Sequence, residues 1–355
     1  MIQKTTIAGG LKGVLCLATL LAGSAGSAQI YDNGGLSTGP TTSSGVAAPT
    51  GYTWSEAQSE AGNTTESNTT AGYSAIYNTA NTVVYQLGDD FTVPEGEQWD
   101  IAQFEFFGYQ TNFTGAGIPI DALRIQIFNG DPQFGGTPVA GNMTTNVLNV
   151  AASGDAMMYR IFNTTTPAPG TVQGLTRKIY RFVGDLNVVL DPGTYWVVWQ
   201  VHATNDGALF VPPVTVPGIR GVEGANGKQN VVATTAVPAL LGWSALIDGG
   251  NPAEAPDFSQ EVPFKINGEV LLSVADNALS KRIVIYPNPV GSNLNVTMPA
   301  GAEASSMEIT DITGRVVRRI STGFESINVA DLAPGHYMLQ VKAGKETAVK
   351  KFIKK

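Results

Sequence analysis

The chain has 355 residues, of which 43% are apolar and 14% are charged, and its formal net charge is −8. It contains one cysteine, Cys16, and two histidines, His202 and His336. These counts exclude a disulfide framework and a zinc site rich in cysteine or histidine. The negative charge argues against nucleic acid as a partner, because the phosphate backbone repels an acidic surface.

The N-terminus has the pattern of a secretory signal. Lys4 and Lys12 precede an apolar run over residues 13–22, and the small residues Gly26, Ser27 and Ala28 follow it. This order predicts a signal peptide over residues 1–28. The apolar run is too short to span a membrane, and we expect no membrane span elsewhere in the chain.

Residues 29–82 are rich in glycine, serine, threonine and asparagine. Such a composition offers few side chains to a hydrophobic core and predicts a loosely ordered N-terminal arm. Tyr52, Trp54, Tyr73 and Tyr77 are spaced through it. We therefore expect the arm to lie against the domain that follows.

Residues 83–272 carry ten or more short segments in which apolar and polar residues alternate, separated by glycine, proline and asparagine. Alternation with a period of two is typical of half-buried strands. The pattern predicts an all-β central domain, an antiparallel β-sandwich or jelly roll. Residues 195–201 are apolar on nearly both faces, which predicts a strand in the middle of a sheet.

A change of charge accompanies the predicted linker at residues 273–280. Residues 29–275 hold 8 Lys+Arg against 22 Asp+Glu, whereas residues 276–355 hold 11 against 7. An acidic segment followed by a basic one indicates two units that fold independently.

Residues 281–355 form the predicted C-terminal domain. About seven short alternating segments in this length are typical of a small immunoglobulin-like β-sandwich. Asp311-Ile312-Thr313-Gly314 predicts a hairpin loop, and Pro334-Gly335 predicts a type II turn.

Four motifs in this domain resemble the C-terminal sorting domain of type IX secretion. They are Tyr286-Pro287-Asn288-Pro289, Asp311-Ile312-Thr313-Gly314, Gly335-His336-Tyr337 and the closing Lys351-Phe352-Ile353-Lys354. The resemblance implies that Tyr286, Pro287, Asn288, Pro289, Asp311, Gly314, Gly335 and Tyr337 form the sorting motifs. It also implies a partner, the type IX secretion machinery, and a final location outside the cell or on its outer surface.

The same turn motif occurs in both predicted domains. Leu190-Asp191-Pro192-Gly193-Thr194-Tyr195 and Leu332-Ala333-Pro334-Gly335-His336-Tyr337 each join an apolar residue, a Pro-Gly turn and a tyrosine. Because the same turn can arise independently, we interpret it as one solution to a common turn problem.

Catalytic groups are few. His202 follows the predicted central strand and lies near Asp206, where a base could act, although a solvated strand end is the favoured interpretation. No Gly-x-Ser-x-Gly motif accompanies it, and we assign no catalytic residue.

Carboxylates provide the remaining chemistry. Asp89 and Asp90 are adjacent in a strand-like segment, so we expect them to point to opposite faces. With Asp248 and Asp257 they are candidate calcium ligands, although no Asp-x-Asp-x-Asp-Gly loop is present. A carboxylate-dependent glycan hydrolase needs only two such groups and stays an alternative.

Three tryptophans, Trp54, Trp99 and Trp243, are candidates for stacking on sugars, with core packing as the competing interpretation. The central segment also loosely resembles uncharacterised secreted bacterial proteins through Asp89-Asp90-Phe91 and Gly193-Thr194-Tyr195-Trp196, which implies a sandwich and no activity. The hypothesis is therefore non-catalytic binding to a polysaccharide or a surface protein. A structural matrix component is a further alternative.

Overall fold

The computed structural model describes residues 28–166, 173–232, 234, 242–272, 278–311, 314–344 and 346–355. The predicted signal peptide, apart from Ala28, and residues 273–277 of the predicted linker lie outside these ranges. The first seventeen strands are β1 Ala28–Asp32, β2 Thr53–Glu56, β3 Ser67–Asn68, β4 Tyr73–Ser74, β5 Ile76–Tyr77, β6 Tyr85–Val93, β7 Glu97–Gly108, β8 Ile120–Asn129, β9 Thr137–Asn142, β10 Gly154–Ile161, β11 Lys178–Leu190, β12 Gly193–Ala203, β13 Phe210–Val211, β14 Lys228–Val231, β15 Gly242–Ala245, β16 Gly250–Asn251 and β17 Phe264–Leu272.

These strands form two large sheets and two short ribbons. One sheet has the order β1-β17-β7-β11-β10-β2, and the other has the order β15-β14-β6-β12-β8-β9 with β5 added beside β12. Most neighbours are antiparallel, whereas β2 and β5 pair in parallel with β10 and β12. The all-β, sandwich-like fold predicted from alternation is confirmed.

The core of the central domain lies between the inner faces of the two sheets. Phe104 and Phe106 of β7 are fully buried, and the Phe106 ring stacks on Trp199 of β12 with centroids 4.4 Å apart. Aromatic side chains bury the largest apolar areas, and such stacked pairs add to that burial.

Strand β12 is apolar on both faces because both faces are covered. It lies between β6 and β8, and its outward residues Trp196 and Val198 are only 4% and 1% exposed. The ammonium of Lys228 lies 4.9 Å from the centroid of the Trp196 ring. The prediction of a central strand at residues 195–201 is confirmed.

Residues 29–82, expected to form a loop or a loosely ordered arm against the domain, do lie against it and also contribute strands to its sheets. This segment supplies β1 and β2, which are the two edge strands of one sheet, and β5 of the other. Trp54 in β2 is 2% exposed. Small polar residues here satisfy backbone and buried side-chain hydrogen bonds, a role that composition does not reveal.

The side chain of Arg160 attaches residues 29–82 to the rest of the central domain. Its guanidinium is buried and donates to the Ser55 hydroxyl at 3.2 Å, the Thr215 hydroxyl at 3.0 Å and the Thr70 carbonyl at 2.7 Å. Burial lowers the pKa of Arg160 to about 10, so the side chain stays charged at neutral pH. These hydrogen bonds compensate part of the loss of hydration of that charge, although Arg160 Nε has no hydrogen-bond partner among the described residues.

The C-terminal domain comprises helix α1 and seven strands. They are α1 Ala278–Arg282, β18 Val284–Tyr286, β19 Asn293–Thr297, β20 Ser306–Asp311, β21 Val316–Ile320, β22 Ser326–Asn328, β23 Gly335–Ala343 and β24 Glu346–Lys354. The sheets have the orders β18-β19-β22 and β21-β20-β23-β24. Leu279 of α1 is 2% exposed within this core, so the domain includes the end of the predicted linker.

Within the described ranges, no helix has the length and apolar character needed to cross a membrane.

Candidate functional site

A polar pocket of about 560 Å³ lies where the loop after β7 meets the loop after β12. Its lining includes six amide or hydroxyl side chains and two aromatic ones: Gln110, Thr111, Asn112, Thr114, Thr204, Asn205, Phe113 and Phe210. Among the described residues that line it, none is ionisable. Paired amides, hydroxyls and aromatic rings are the groups that bind uncharged polar molecules in concave sites.

Two amides of the pocket hold each other in place. Gln110 Nε2 donates to Asn205 Oδ1 at 2.9 Å, and Asn205 Nδ2 donates to Gln110 Oε1 at 3.1 Å. Gln110 is 8% exposed, and its Nε2 also donates to the Ala208 carbonyl at 3.4 Å. The Gly207 amide donates to Asn205 Oδ1 at 2.9 Å.

This arrangement leaves one hydrogen-bond donor of Asn205 and one acceptor of Gln110 unused. Both hydrogens of Gln110 Nε2 are engaged, whereas Gln110 Oε1 and Asn205 Nδ2 each make one hydrogen bond. Each can make one more, because an amide oxygen accepts two hydrogen bonds and an amide nitrogen donates two. A free donor beside a free acceptor is the pair that two neighbouring hydroxyl groups require.

The two aromatic rings of the pocket, Phe113 and Phe210, are each held in place by a neighbouring tyrosine. Phe113 packs edge-to-face on Tyr180, with centroids 5.8 Å apart, and a Cβ at Gly115 would lie 2.6 Å from the Phe113 ring. Phe210 packs on Tyr109 at 5.9 Å, and the two residues exchange backbone hydrogen bonds. Both phenylalanine rings are half-buried, so each keeps apolar surface for a ligand.

The three tryptophans predicted to stack on sugars do not line this pocket. Trp54 and Trp99 are 2% and 4% exposed, and Trp99 stacks on Phe91. Neither can offer a ring face to a sugar, so the core-packing interpretation holds for both. Trp243 is half-buried, and its ring packs over Gly88, where a Cβ would lie 3.2 Å from it. Sequence reasoning missed the pocket because loop amides and threonines carry no distinctive spacing.

A groove of about 490 Å³ lies on the outer face of the sheet that contains β7. Glu105 and Asp155 both line it, which makes it the place where a carboxylate-dependent hydrolase could act. Glu105 accepts from Asn267 at 2.7 Å. Burial raises the pKa of Asp155, but hydrogen bonds from Tyr52, the Met157 amide and Lys178 outweigh it and lower that pKa. A general acid requires the opposite shift.

The carboxylates of Asp89 and Asp90 approach each other although the two residues lie on opposite faces of β6, as predicted, Asp89 opposite the inward Val197 and Asp90 opposite the outward Trp196. One oxygen of each, with one of Glu261, lies within 4.8 Å of the others. Strand β14 begins at Lys228 opposite Gly88, so Asp90 lies beyond the paired region. There Asn226 Nδ2 donates to Asp90 Oδ1 at 3.2 Å, whereas the Val262 amide donates to Asp89 Oδ2 at 2.8 Å.

The electrostatics of this carboxyl cluster favour a retained proton. Burial, followed by the charge of Glu261, holds the pKa of Asp89 well above its usual range, and burial also raises the pKa of Glu261. Three ionised carboxylates at this spacing could hold a divalent cation such as calcium. Calcium binding at Asp89 and Asp90 stays a prediction.

The other two calcium candidates are not brought together with these. Asp248 is buried, accepts from Arg220 Nε and Nη2 at 3.0 Å, and accepts from the Phe258 amide at 2.6 Å. One of its oxygens is therefore engaged in a buried ion pair with Arg220 and the other in a hydrogen bond with the backbone. Asp257 is exposed.

The sorting-motif residues form contacts within the C-terminal domain. Asn288 Oδ1 accepts from the Ile353 amide at 2.9 Å, which ties the Tyr286-Pro287-Asn288-Pro289 segment to the last strand. Gly314 has a φ of 81° and closes the turn onto the Asp311 carbonyl at 3.0 Å, although Ile312 and Thr313 lie outside the described ranges. The Tyr337 ring stacks on Phe352 at 5.6 Å. Tyr286 is 51% exposed, so it is available to a partner.

Comparison with known families identifies this domain. Residues 284–355 match the family of the secretion system C-terminal sorting domain. These residues form a type IX secretion sorting tail, as their motifs predicted, and such a tail directs export to the cell surface or the extracellular space. No curated protein matches the chain.

Proposed function

We propose that the central domain binds an uncharged glycan in the polar pocket, without catalysing a reaction on it, after the sorting tail has directed its export. The observation that carries the proposal is the composition of the pocket. It combines amides, hydroxyls and two fixed aromatic rings, and its described lining has no ionisable group. Sugar hydroxyls need donors and acceptors, and their apolar ring faces pack on aromatic side chains.

The mutual orientation of Gln110 and Asn205 supports the same function. Their two hydrogen bonds hold one free donor and one free acceptor side by side before any ligand arrives. Binding groups that are already ordered lose little conformational entropy on association. A charged glycan gains nothing here, since the described lining offers it no opposite charge.

A panel of oligosaccharides tests the proposal. The protein without residues 1–28 would be titrated with neutral hexasaccharides of glucose, xylose and mannose and with oligogalacturonate, while released sugar is assayed. We expect binding of at least one neutral oligomer, weaker binding of the acidic one and no released product. Released sugar would favour the hydrolase and direct mutagenesis to Glu105 and Asp155. Binding of none would overturn the proposal in favour of a protein partner or a matrix role.

Two matched variants locate the site. Asn205→Ala removes the free donor and the partner that orients the Gln110 carbonyl, so we expect affinity to fall about ten-fold, because a lost hydrogen bond costs about 1 kcal/mol and the remaining acceptor is no longer held in place. Asn230→Ala is the control, since Asn230 Nδ2 donates to Gln86 Oε1 at 2.8 Å in a similar amide pair on β14, outside the pocket lining. Equal losses in both variants would contradict the assignment.

A further inference from the structure

His202 joins three parts of the chain beside the pocket. Its Nδ1 lies 2.5 Å from Asp121 Oδ1 on β8, and its Nε2 lies 2.8 Å from Asp206 Oδ1 in the loop after β12. Thr79, in the segment after β5, brings its hydroxyl within 3.1 Å of His202 Nε2. The Thr79 amide donates to Asp206 Oδ1 at 2.9 Å. The ring thus bridges two carboxylates.

Only a protonated ring can donate to both carboxylates, because neutral imidazole has one N–H and one lone pair. Partial burial of the His202 ring lowers its pKa, but the hydrogen bonds and charges of Asp121 and Asp206 outweigh burial and raise it. Tyr77 also faces the ring, with 5.3 Å between ring centroids, and the Arg124 guanidinium stacks on Tyr77 at 3.6 Å. Thr79, which contacts the ring, is neutral.

The bridge is directly linked to the pocket through the backbone. Asp206 follows Asn205, and its φ of 55° lies in the left-handed region, which costs free energy for a residue other than glycine. The contacts of its carboxylate with His202 and Thr79 hold this conformation. The Gly207 amide on the far side of Asp206 donates to Asn205 Oδ1 at 2.9 Å, so the conformation of Asp206 also affects the amide that pairs with Gln110.

We infer that His202 is a pH-sensitive latch on the polar pocket, and that ligand affinity falls as the ring loses its proton. A neutral ring that keeps its hydrogen on Nδ1, toward the nearer carboxylate Asp121, has a bare Nε2, and the Thr79 hydroxyl can donate to this nitrogen instead of to Asp206, to which it now donates at 3.2 Å. Asp206 then loses the Nε2–H donor and keeps the Thr79 amide, so the backbone beside Asn205 is held less firmly. The regulatory part of this inference rests on the proposed function.

The sign follows from the raised pKa. The latch is complete below the ordinary histidine value of about 6.5 and is lost as the pH rises through the higher value of the folded protein. We expect affinity for a neutral hexasaccharide to fall roughly ten-fold across this window, the size of a typical coupling between linked sites. At pH values below about 6.5, where the ring is already protonated, affinity should not change with pH.

NMR spectroscopy of the His336→Gln variant provides the test, because His202 is then the one remaining histidine of the chain. Its ring signals and the side-chain amide signals of Gln110 and Asn205 would be followed between about pH 5.5 and 9. We expect all three to share one midpoint. Amide signals that do not move with the ring would overturn the latch, whether or not a ligand is bound.

Affinity measurements with the same neutral hexasaccharide complete the design. Asp206→Asn and His202→Gln should bind at low pH as weakly as the unmodified protein does at high pH, whereas His336→Gln should behave like the unmodified protein. Constant affinity across the ring titration would also overturn the latch. If the amide signals follow the ring but no oligosaccharide binds at any pH, the latch stands and the glycan-binding proposal fails.

Discussion

Tyr195 and Tyr337 make the same hydrogen bond in two different domains. Tyr195 Oη donates to the Asp191 carbonyl at 3.0 Å, and Tyr337 Oη donates to the Ala333 carbonyl at 2.9 Å. Each tyrosine lies three residues after the proline of a Pro-Gly turn and reaches back across that turn. The repeated sequence pattern therefore reflects a repeated way of anchoring the start of a core strand.

This pair tests whether the domains fold independently. Tyr195→Phe and Tyr337→Phe each remove one hydrogen bond and keep the ring, so each should cost about 1 kcal/mol. In calorimetry we expect two transitions, of which Tyr195→Phe lowers one and Tyr337→Phe lowers the other. A single transition lowered by both variants would contradict independent folding.

Arg160 tests the attachment of residues 29–82. Arg160→Ala leaves the Thr70 carbonyl and the Thr215 hydroxyl without their buried donor, so we expect a loss on the order of 3 kcal/mol in the free energy of unfolding. Arg181→Ala is the control, because the Arg181 side chain is 44% exposed and should cost less than about 1 kcal/mol. Urea denaturation measures both, and similar losses would contradict the anchoring role of Arg160.

The carboxyl cluster predicts an unusual pH dependence. Because the pKa of Asp89 is raised in the folded protein, folding takes up a proton at this site, and its stability contribution declines as the pH rises above about 4. Asp89→Asn keeps the shape and holds no titrating proton. Denaturant unfolding at several pH values should show a smaller decline toward neutral pH for this variant. An unchanged pH profile would show that Asp89 is ionised throughout.

Export provides the prediction for the sorting tail. A chain lacking residues 278–355 should accumulate in the periplasm, because the domain that the type IX machinery recognises is missing. Cell fractionation measures its location. The control replaces the same residues by an immunoglobulin-like domain without the sorting motifs, which should also stay inside. Secretion of either form at normal levels would contradict the assignment.

The sequence predicted features that depend on periodicity and motif, and it missed those that depend on contacts between distant residues. Alternation identified the all-β fold, and residues 195–201 identified the central strand. The edge strands β1 and β2 were not predicted because residues 29–82 are mostly small and polar and do not alternate with apolar ones. Their pairing with β17 and β10, respectively, is visible only in the fold. The convergence of Asp90 with Glu261 was missed because neighbours in a strand normally diverge, and only the end of the pairing with β14 allows it.

The candidate pocket was the hardest feature to predict. Gln110 and Asn205 are 95 residues apart and form no motif, and only the fold brings their amides together. Large aromatic residues gave the wrong candidates at Trp54 and Trp99, because the residues best suited to stack on sugars are also those that best fill a core.

The most direct measurement is an NMR titration of the protein without residues 1–28 with whichever neutral hexasaccharide binds in the panel. The account predicts that the side-chain amide signals of Gln110 and Asn205 shift with the ligand, with one saturation curve. The amide signals of Asn230 and Gln86, which lie outside the pocket lining, should stay in place. Shifts at Trp243 or around Glu105, with Gln110 and Asn205 unchanged, would contradict it and assign binding to another surface.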